Sequence, residues 1–159
     1  MTTDYRARPN TVPWPPLVYI VAVALSIALN IVYPLPWFHG LLGDILFAAG
    51  WLAVLGAIAL YVSALQAMRR ARTTILPTQA AEHLVTDGAF AVTRNPIYLA
   101  ITLLMVGVGL ITGIVWFLLF GVLAAFATQK LAVEREEKHL ETRFGKRYRD
   151  YTKRVRRWI

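Results

Sequence analysis

The order of apolar and polar positions divides this chain into long uncharged runs separated by short, punctuated polar segments. Residues 14–33 carry no charge, and that length is about what a helix needs to cross a hydrocarbon core. Arg6 and Arg8 precede the run, as they would in a signal peptide. The run exceeds an ordinary signal-peptide apolar region, however, and no small-residue cleavage site ends it, so it reads as a retained helix. Pro34 and Pro36, with Trp37, His39, Gly40 and Gly43, then break the helix and place an aromatic side chain where an interface would lie. A second span is predicted over 45–65, with Asp44 as its helix-start carboxylate, and Arg69, Arg70 and Arg72 end it.

The segment up to Arg94 is too polar for a span and is punctuated by Pro77, Asp87-Gly88 and Asn95-Pro96. Apolar sequence returns over 97–111 and 114–128, and the short Thr112-Gly113 connection predicts an antiparallel helical hairpin. Gly107, Gly109 and Gly113 would permit close backbone approach there. From 130 to 159 the character changes to a charged helix. Its apolar residues Leu140, Phe144, Tyr148, Tyr151 and Val155, with Trp158 or Ile159, recur at helical spacing. Such a stripe can pack against the preceding polar loop or lie along headgroups, and Gly145 either kinks the helix or divides it in two.

The predicted fold is therefore all-α: a polytopic membrane protein with about four transmembrane helices and a cytoplasmic amphipathic C-terminal helix. It divides into 1–68, holding the first two spans, and 69–159, holding the polar loop, the hairpin and the terminal helix. A hydrophobic content of 57% and a mean hydropathy of +0.52 fit a bilayer better than water. The net charge of +8 does not point to nucleic acid, because the 17 Lys and Arg flank the spans and form no separate basic and aromatic face. With four spans they all fall on one side, which the positive-inside rule assigns to the cytoplasm together with both termini, facing anionic lipids. The absence of cysteine excludes thiolate chemistry and disulfides.

No glycine-rich nucleotide loop and no metal-ligand pair of histidines occurs, and no span carries an acid or base at its middle, which counts against ion-coupled transport. The chemistry-bearing residues gather in two places that the hairpin returns to one membrane face. The first runs from His83 through Arg94, Asn95 and Pro96 to Tyr98, with the proline suited to a helix start. The second contains Glu134, Glu137 and Glu141 at helical spacing, beside Glu136 and His139. Taken singly, Arg94 reads as a headgroup anchor, Tyr98 as an interfacial aromatic, His39 as an interfacial histidine, and the glutamates as a solvated face paired with Arg135 and Lys138.

Their order resembles the isoprenylcysteine carboxyl methyltransferase family and its phospholipid methyltransferase relatives. The matching residues are Thr73-Thr74-x-x-Pro77, Leu84-Val85-Thr86-Asp87-Gly88-x-Phe90 and Arg94-Asn95-Pro96-x-Tyr98-Leu99. After the hairpin come Glu136-Glu137-x-x-Leu140-x-x-x-Phe144-Gly145-x-x-Tyr148-x-x-Tyr151 and Arg157-Trp158. The resemblance covers residues 70–159. It implies an S-adenosylmethionine-dependent methyltransferase without a Rossmann domain, its cofactor enclosed by the last spans, the loop and the Glu-Glu helix. Many members have His where this chain has Asn95, and their Gly-Pro-x-Arg turn is here Gly88-Ala89-Phe90-Ala91.

Such a cofactor presents a sulfonium, a carboxylate and an adenine, so its site requires carboxylates, a cation or N–H groups, and an aromatic or apolar wall. On this reading Arg94 and Glu137 carry catalysis. Arg94 and the helix-entry N–H groups meet a carboxylate, Glu137 and Glu134 meet amino or ribose hydroxyl groups, and Asn95 and Tyr98 orient the donor. His83, Leu84, Val85, Pro96 and Leu99 complete the cofactor site. A protic acceptor would need a base such as Glu137 or His83, whereas a carboxylate would not. The acceptor is expected to be lipophilic and to enter from the lipid: a hydrophobic carboxylate, a lipid amine such as phosphatidylethanolamine, or a small thiol. The competing class is a non-enzymatic four-helix transporter or assembly subunit, and the sequence leaves oligomeric state open.

Overall fold

The computed structural model describes residues 12–73, 79 and 81–159. Arg6, Arg8, Thr74 and Pro77, which entered the reading above, lie outside the described residues. The elements are α1 (Trp14–Val32), α2 (Leu41–Arg70), a 3-10 turn (Gly88–Ala91), α3 (Pro96–Thr112), α4 (Val115–Thr128), a π turn (Gln129–Val133), α5 (Glu134–Phe144) and α6 (Lys146–Arg154). Among the described residues the fold is all-helical, as the apolar periodicity predicts.

Prolines start α1 and α3, where a missing N–H costs no intrahelical bond. Gly40, with φ of +66°, makes the break before α2. That helix consequently begins at Leu41 instead of residue 45, and Asp44 lies within its first turn. At its other end it runs beyond residue 65, so Arg69 and Arg70 occupy the last turn, where the helix dipole favours cations.

Among the described residues, three helical stretches are long and apolar enough to cross a membrane: α1, α2 and the continuous helix Val115–Phe144 that joins α4 to α5. The third predicted span, α3, is equally apolar but only 17 residues long. At about 1.5 Å per residue it falls slightly short of a hydrocarbon core of about 30 Å. The chain is an integral membrane protein, and the many exposed apolar side chains on α1 and α2, Ile31, Val32, Leu41 and Leu52 among them, face where lipid would be.

α3 packs against α2 on one side and α4 on the other, and α4 in turn packs against α1. The α2–α3 contact is made by small residues. A Cβ at Gly50 would lie 2.9 Å from the Gly107 carbonyl oxygen, and one at Gly107 would lie 2.9 Å from that of Gly50. Backbone meets backbone there, which is how helices associate when lipid removes the hydrophobic drive between them. Gly109 instead faces Phe117 of α4, and Gly113 is the left-handed helix end, seated against Trp37. The connection between α1 and α2 thus lies over the α3–α4 turn, where the Trp116 Nε1–H also donates to the Tyr33 carbonyl at 2.9 Å.

At the opposite end, the N-termini of α1 and α3 meet through the Tyr19 hydroxyl, which contacts Thr102 Oγ1 at 2.5 Å. Beyond them the chain builds a polar cap. Gly145, with φ of +52°, divides the terminal helix into α5 and α6. The predicted apolar stripe is buried in this cap: Tyr148, Tyr151 and Val155 form a core with Leu140, Phe144 and, from the loop, Leu84. The terminal helix therefore packs on the loop.

Candidate functional site

The cap is assembled by hydrogen bonds between the entry to α3 and the end of the chain. The Arg94 N–H donates to the Arg156 carbonyl at 3.0 Å, and both the Thr93 hydroxyl (3.1 Å) and the Asn95 side-chain amide (2.9 Å) donate to the Arg157 carbonyl. The Trp158 Nε1–H donates to Gln129 Oε1 at 2.7 Å, so the tail is also tied to the π turn between α4 and α5. From the other side, the Tyr151 hydroxyl donates to the Phe90 carbonyl at 2.6 Å. Irregular backbone near the membrane is satisfied here by other parts of the protein.

This clamp brings together three charged side chains distant in sequence. Arg157 makes a two-pronged contact with Glu137, its Nε–H on Oε1 at 3.0 Å and a terminal N–H on Oε2 at 2.6 Å. Arg94 approaches the same Oε1 at 3.1 Å, and the side chains of Arg94 and Glu137 are only 14% and 16% exposed. Two guanidiniums and one carboxylate leave a formal charge of +1. Its hydrogen bonds to the Glu137 carboxylate hold the Arg157 guanidinium above its already high range.

A cavity of about 150 Å³ opens beside the cluster, between the loop, the start of α3 and the faces of α5 and α6. His83, Leu84, Val85, Arg94, Asn95, Pro96, Tyr98 and Glu137 all line it, so the fold gathers eight of the ten residues named as cofactor-binding. Glu134 instead lines an adjoining polar cavity of about 400 Å³ and pairs with Lys130 at 2.7 Å. Leu99 lines neither cavity. Glu141 sits 3.8 Å from Arg149 on the exposed surface. The glutamates thus do not share one role. Asn95 lines the cavity while its side-chain amide serves the clamp.

Sequence reasoning did not name several lining residues as site members. The Tyr98 hydroxyl donates to Glu136 Oε1 at 2.7 Å, within the same cavity. His139 is buried at 1% exposure and accepts from the Ala81 N–H at 3.3 Å. Tyr148 lines both cavities, as Arg94 and Glu137 do. The Glu-Glu pair and the Tyr148, Tyr151 and Arg157 positions were already present in the quoted motifs. Helical periodicity alone could not say which member of the pair faces inward, because both do.

Two buried polar atoms, the Arg94 Nε of the cluster and the hydroxyl of the neighbouring Tyr148, have no hydrogen-bond partner among the described residues. A buried donor without an acceptor costs about 1–3 kcal/mol. Both are donors, since burial raises the Tyr148 phenol above its ordinary range and keeps it protonated. An arrangement of net positive charge with two orphan donors fits a ligand that brings an anionic oxygen. This is the property that the carboxylate end of the expected cofactor would supply.

A family model described as phospholipid methyltransferase matches residues 45–147. No curated protein and no solved structure matches the chain.

Proposed function

The chain belongs to the phospholipid methyltransferase family, and on that premise we propose that it transfers a methyl group from S-adenosylmethionine to a lipophilic acceptor at the cytoplasmic membrane face. Membrane methyltransferase activity follows from the family. The cofactor, the acceptor class and the face are our reading, and the observation that carries it is the Arg94–Glu137–Arg157 cluster where the loop cavity adjoins the polar one, with the orphan donors of Arg94 and Tyr148 beside it. The orientation rests on the charge distribution: the basic ends of α2, the loop and the terminal helices lie at the same end of the bundle. The same reading makes 69–159 the catalytic region and 1–68 its membrane support, with α3 counted as a span beside α1, α2 and α4.

When bound, S-adenosylmethionine supplies a methyl group on a good sulfonium leaving group. The protein's part is then to hold donor and acceptor in line and exclude water. Arg94 meets the carboxylate through its Nε–H, and Glu137 holds the guanidinium at that angle. Glu137 already accepts three hydrogen bonds or ion-pair contacts of the roughly four a carboxylate can take, which leaves Oε2 one position for an ammonium or hydroxyl. Tyr98 and Pro96 form the α3 wall, and Leu84 and Val85 supply apolar surface from the loop. Glu134, in the adjoining cavity, is placed for the polar end of the ligand.

For an amine or thiol acceptor, a proton has to leave. Glu137 is committed to its two arginines, so Glu136, which receives the Tyr98 hydroxyl in the cavity, is better placed than Glu137 or His83 to take it. A hydrophobic carboxylate would need no base. The acceptor enters from the lipid, beside the apolar lining.

The test is binding of S-adenosylmethionine and S-adenosylhomocysteine to the protein in lipid nanodiscs, with Arg94→Ala and Glu137→Gln alongside. Labelled methyl transfer to lipid-amine, fatty-carboxylate and hydrophobic-thiol acceptors follows. Saturable binding lost in both variants is the expected result. Absence of binding by the parent protein in nanodiscs would overturn the cofactor reading.

A further inference from the structure

Among the described residues, Tyr148 is the one buried aromatic of the cap whose polar end has no hydrogen-bond partner. Its ring is 4% exposed and packs at 6.2 Å, centroid to centroid, from that of Tyr151. The two phenols then differ. Tyr151 donates to the Phe90 carbonyl, whereas the Tyr148 hydroxyl has no partner among the described residues. Phenylalanine would satisfy the packing at 148, so the hydroxyl calls for a different explanation.

Its surroundings supply one. Tyr148 lines the apolar cavity and the polar cavity alike, and Arg94 and Glu137 do so too. These three residues therefore stand on the boundary where a ligand with an apolar body and a charged end would pass from one cavity to the other. Arg94 contributes the second orphan donor, its Nε–H. The Glu137 carboxylate is matched by two guanidiniums, so Arg94, Glu137 and Arg157 together carry a formal charge of +1 that an incoming anion would offset.

We infer that the Tyr148 hydroxyl and the Arg94 Nε–H together hold an anionic oxygen of the ligand, the aminoacid carboxylate of the cofactor proposed above. The inference rests on that cofactor reading and adds Tyr148 to it as a binding residue. It explains why the chain keeps a phenol where the cluster needs only a ring.

The experiment compares two probes that differ in the aminoacid portion, S-adenosylhomocysteine and 5′-methylthioadenosine, by calorimetry in nanodiscs on the parent protein and on Tyr148→Phe. The variant is expected to bind S-adenosylhomocysteine about 10-fold more weakly, the scale of one hydrogen bond to a charged group. Its affinity for 5′-methylthioadenosine should match the parent's. The ligand-free thermal midpoint should not fall, because the substitution removes a hydroxyl without a partner. Tyr151→Phe serves as control: it is expected to lower the midpoint and to weaken both probes alike.

Unchanged S-adenosylhomocysteine affinity in Tyr148→Phe would overturn the role of Tyr148 and leave the cofactor reading standing. Equal weakening of both probes, or a lowered ligand-free midpoint, would make the hydroxyl structural and overturn it as well. If the parent protein binds neither probe, the cofactor reading fails and the inference fails with it.

Discussion

The helices of the bundle and the cap at its end are held by different kinds of contact. In the bundle, α2 and α3 meet at Gly50 and Gly107 with carbonyl oxygens within 3 Å of where a Cβ would sit, and the outward side chains are simply apolar. In the cap, the hydrogen bonds that tie the end of the chain to the loop and the entry of α3 run between residues 60 or more apart in sequence: Thr93, Arg94 and Asn95 with 156–157, and Tyr151 with Phe90. The first region depends on shape and tolerates any lipid-compatible exterior. The second depends on named polar atoms, and losing one leaves another exposed to an apolar surrounding.

The sharpest way to break this comparison is at Glu137. Glu137→Ala leaves two guanidiniums without their carboxylate at a partly buried position, a change of about 3–5 kcal/mol when a buried pair is broken. We expect S-adenosylhomocysteine binding to be lost and the cap to become protease-sensitive while membrane insertion persists. Binding within twofold of the parent would separate the cluster from the site.

The counterpart in the bundle is Gly107→Ala. Its new methyl would meet the Gly50 carbonyl and Val54, and overpacking of this kind costs about 1–3 kcal/mol. The thermal midpoint in detergent should fall, with ligand affinity at low temperature unaltered. An unchanged midpoint would show that α2 and α3 do not rely on this approach.

Arg157→Lys keeps the charge and removes the two-pronged geometry. About 1.5 kcal/mol, or roughly tenfold in ligand affinity, is the expected loss, read by calorimetry. Full affinity would mean that charge alone suffices at this position.

Alkaline titration should loosen the cap before the bundle. Burial raises the Tyr148 phenol and pushes the Tyr151 phenol up to about 12 from its ordinary 10. The unfolded chain therefore releases these protons first, and the stability they contribute, complete below pH 10, declines as pH rises toward about 12. Hydrogen exchange at residues 146–155 should increase over that interval ahead of exchange in α2 and α3. Simultaneous loosening would mean that the two regions unfold as one.

The smallest effect is expected at Arg70→Ala, because the Arg70–Asp87 pair at 3.4 Å is well exposed. Exposed pairs of this kind contribute roughly 0–1 kcal/mol, and no change in midpoint or affinity should be measurable.

Much of this molecule was legible before folding was considered. The apolar runs, the punctuation at Gly40, Pro96 and Gly113, and the stripe from Leu140 to Val155 are periodic or local signals, and the corresponding helices and turns form where those signals place them. The Arg94-Asn95-Pro96-x-Tyr98 and Glu136-Glu137 motifs likewise marked the two segments that line the cavity. Helix ends shifted by a few residues, as at α2, because the apolar pattern does not register a helix continuing into charged sequence.

The partners of each polar group belong to the tertiary structure. Helical spacing alone does not distinguish Glu137 from Glu134 or Glu141. It is the glutamate that meets Arg94 and Arg157 because the π turn, the α5–α6 break and the returning tail set its angle and bring both arginines to it. Asn95 reads as a ligand contact from its motif and is found holding a backbone carbonyl, while Tyr148 reads as core and is found lining the cavity, its buried hydroxyl without a partner among the described residues. Hydrophobic spacing is a one-dimensional property and survives in the sequence. The pairing of donors with acceptors across 60 residues depends on where the folded chain brings them together.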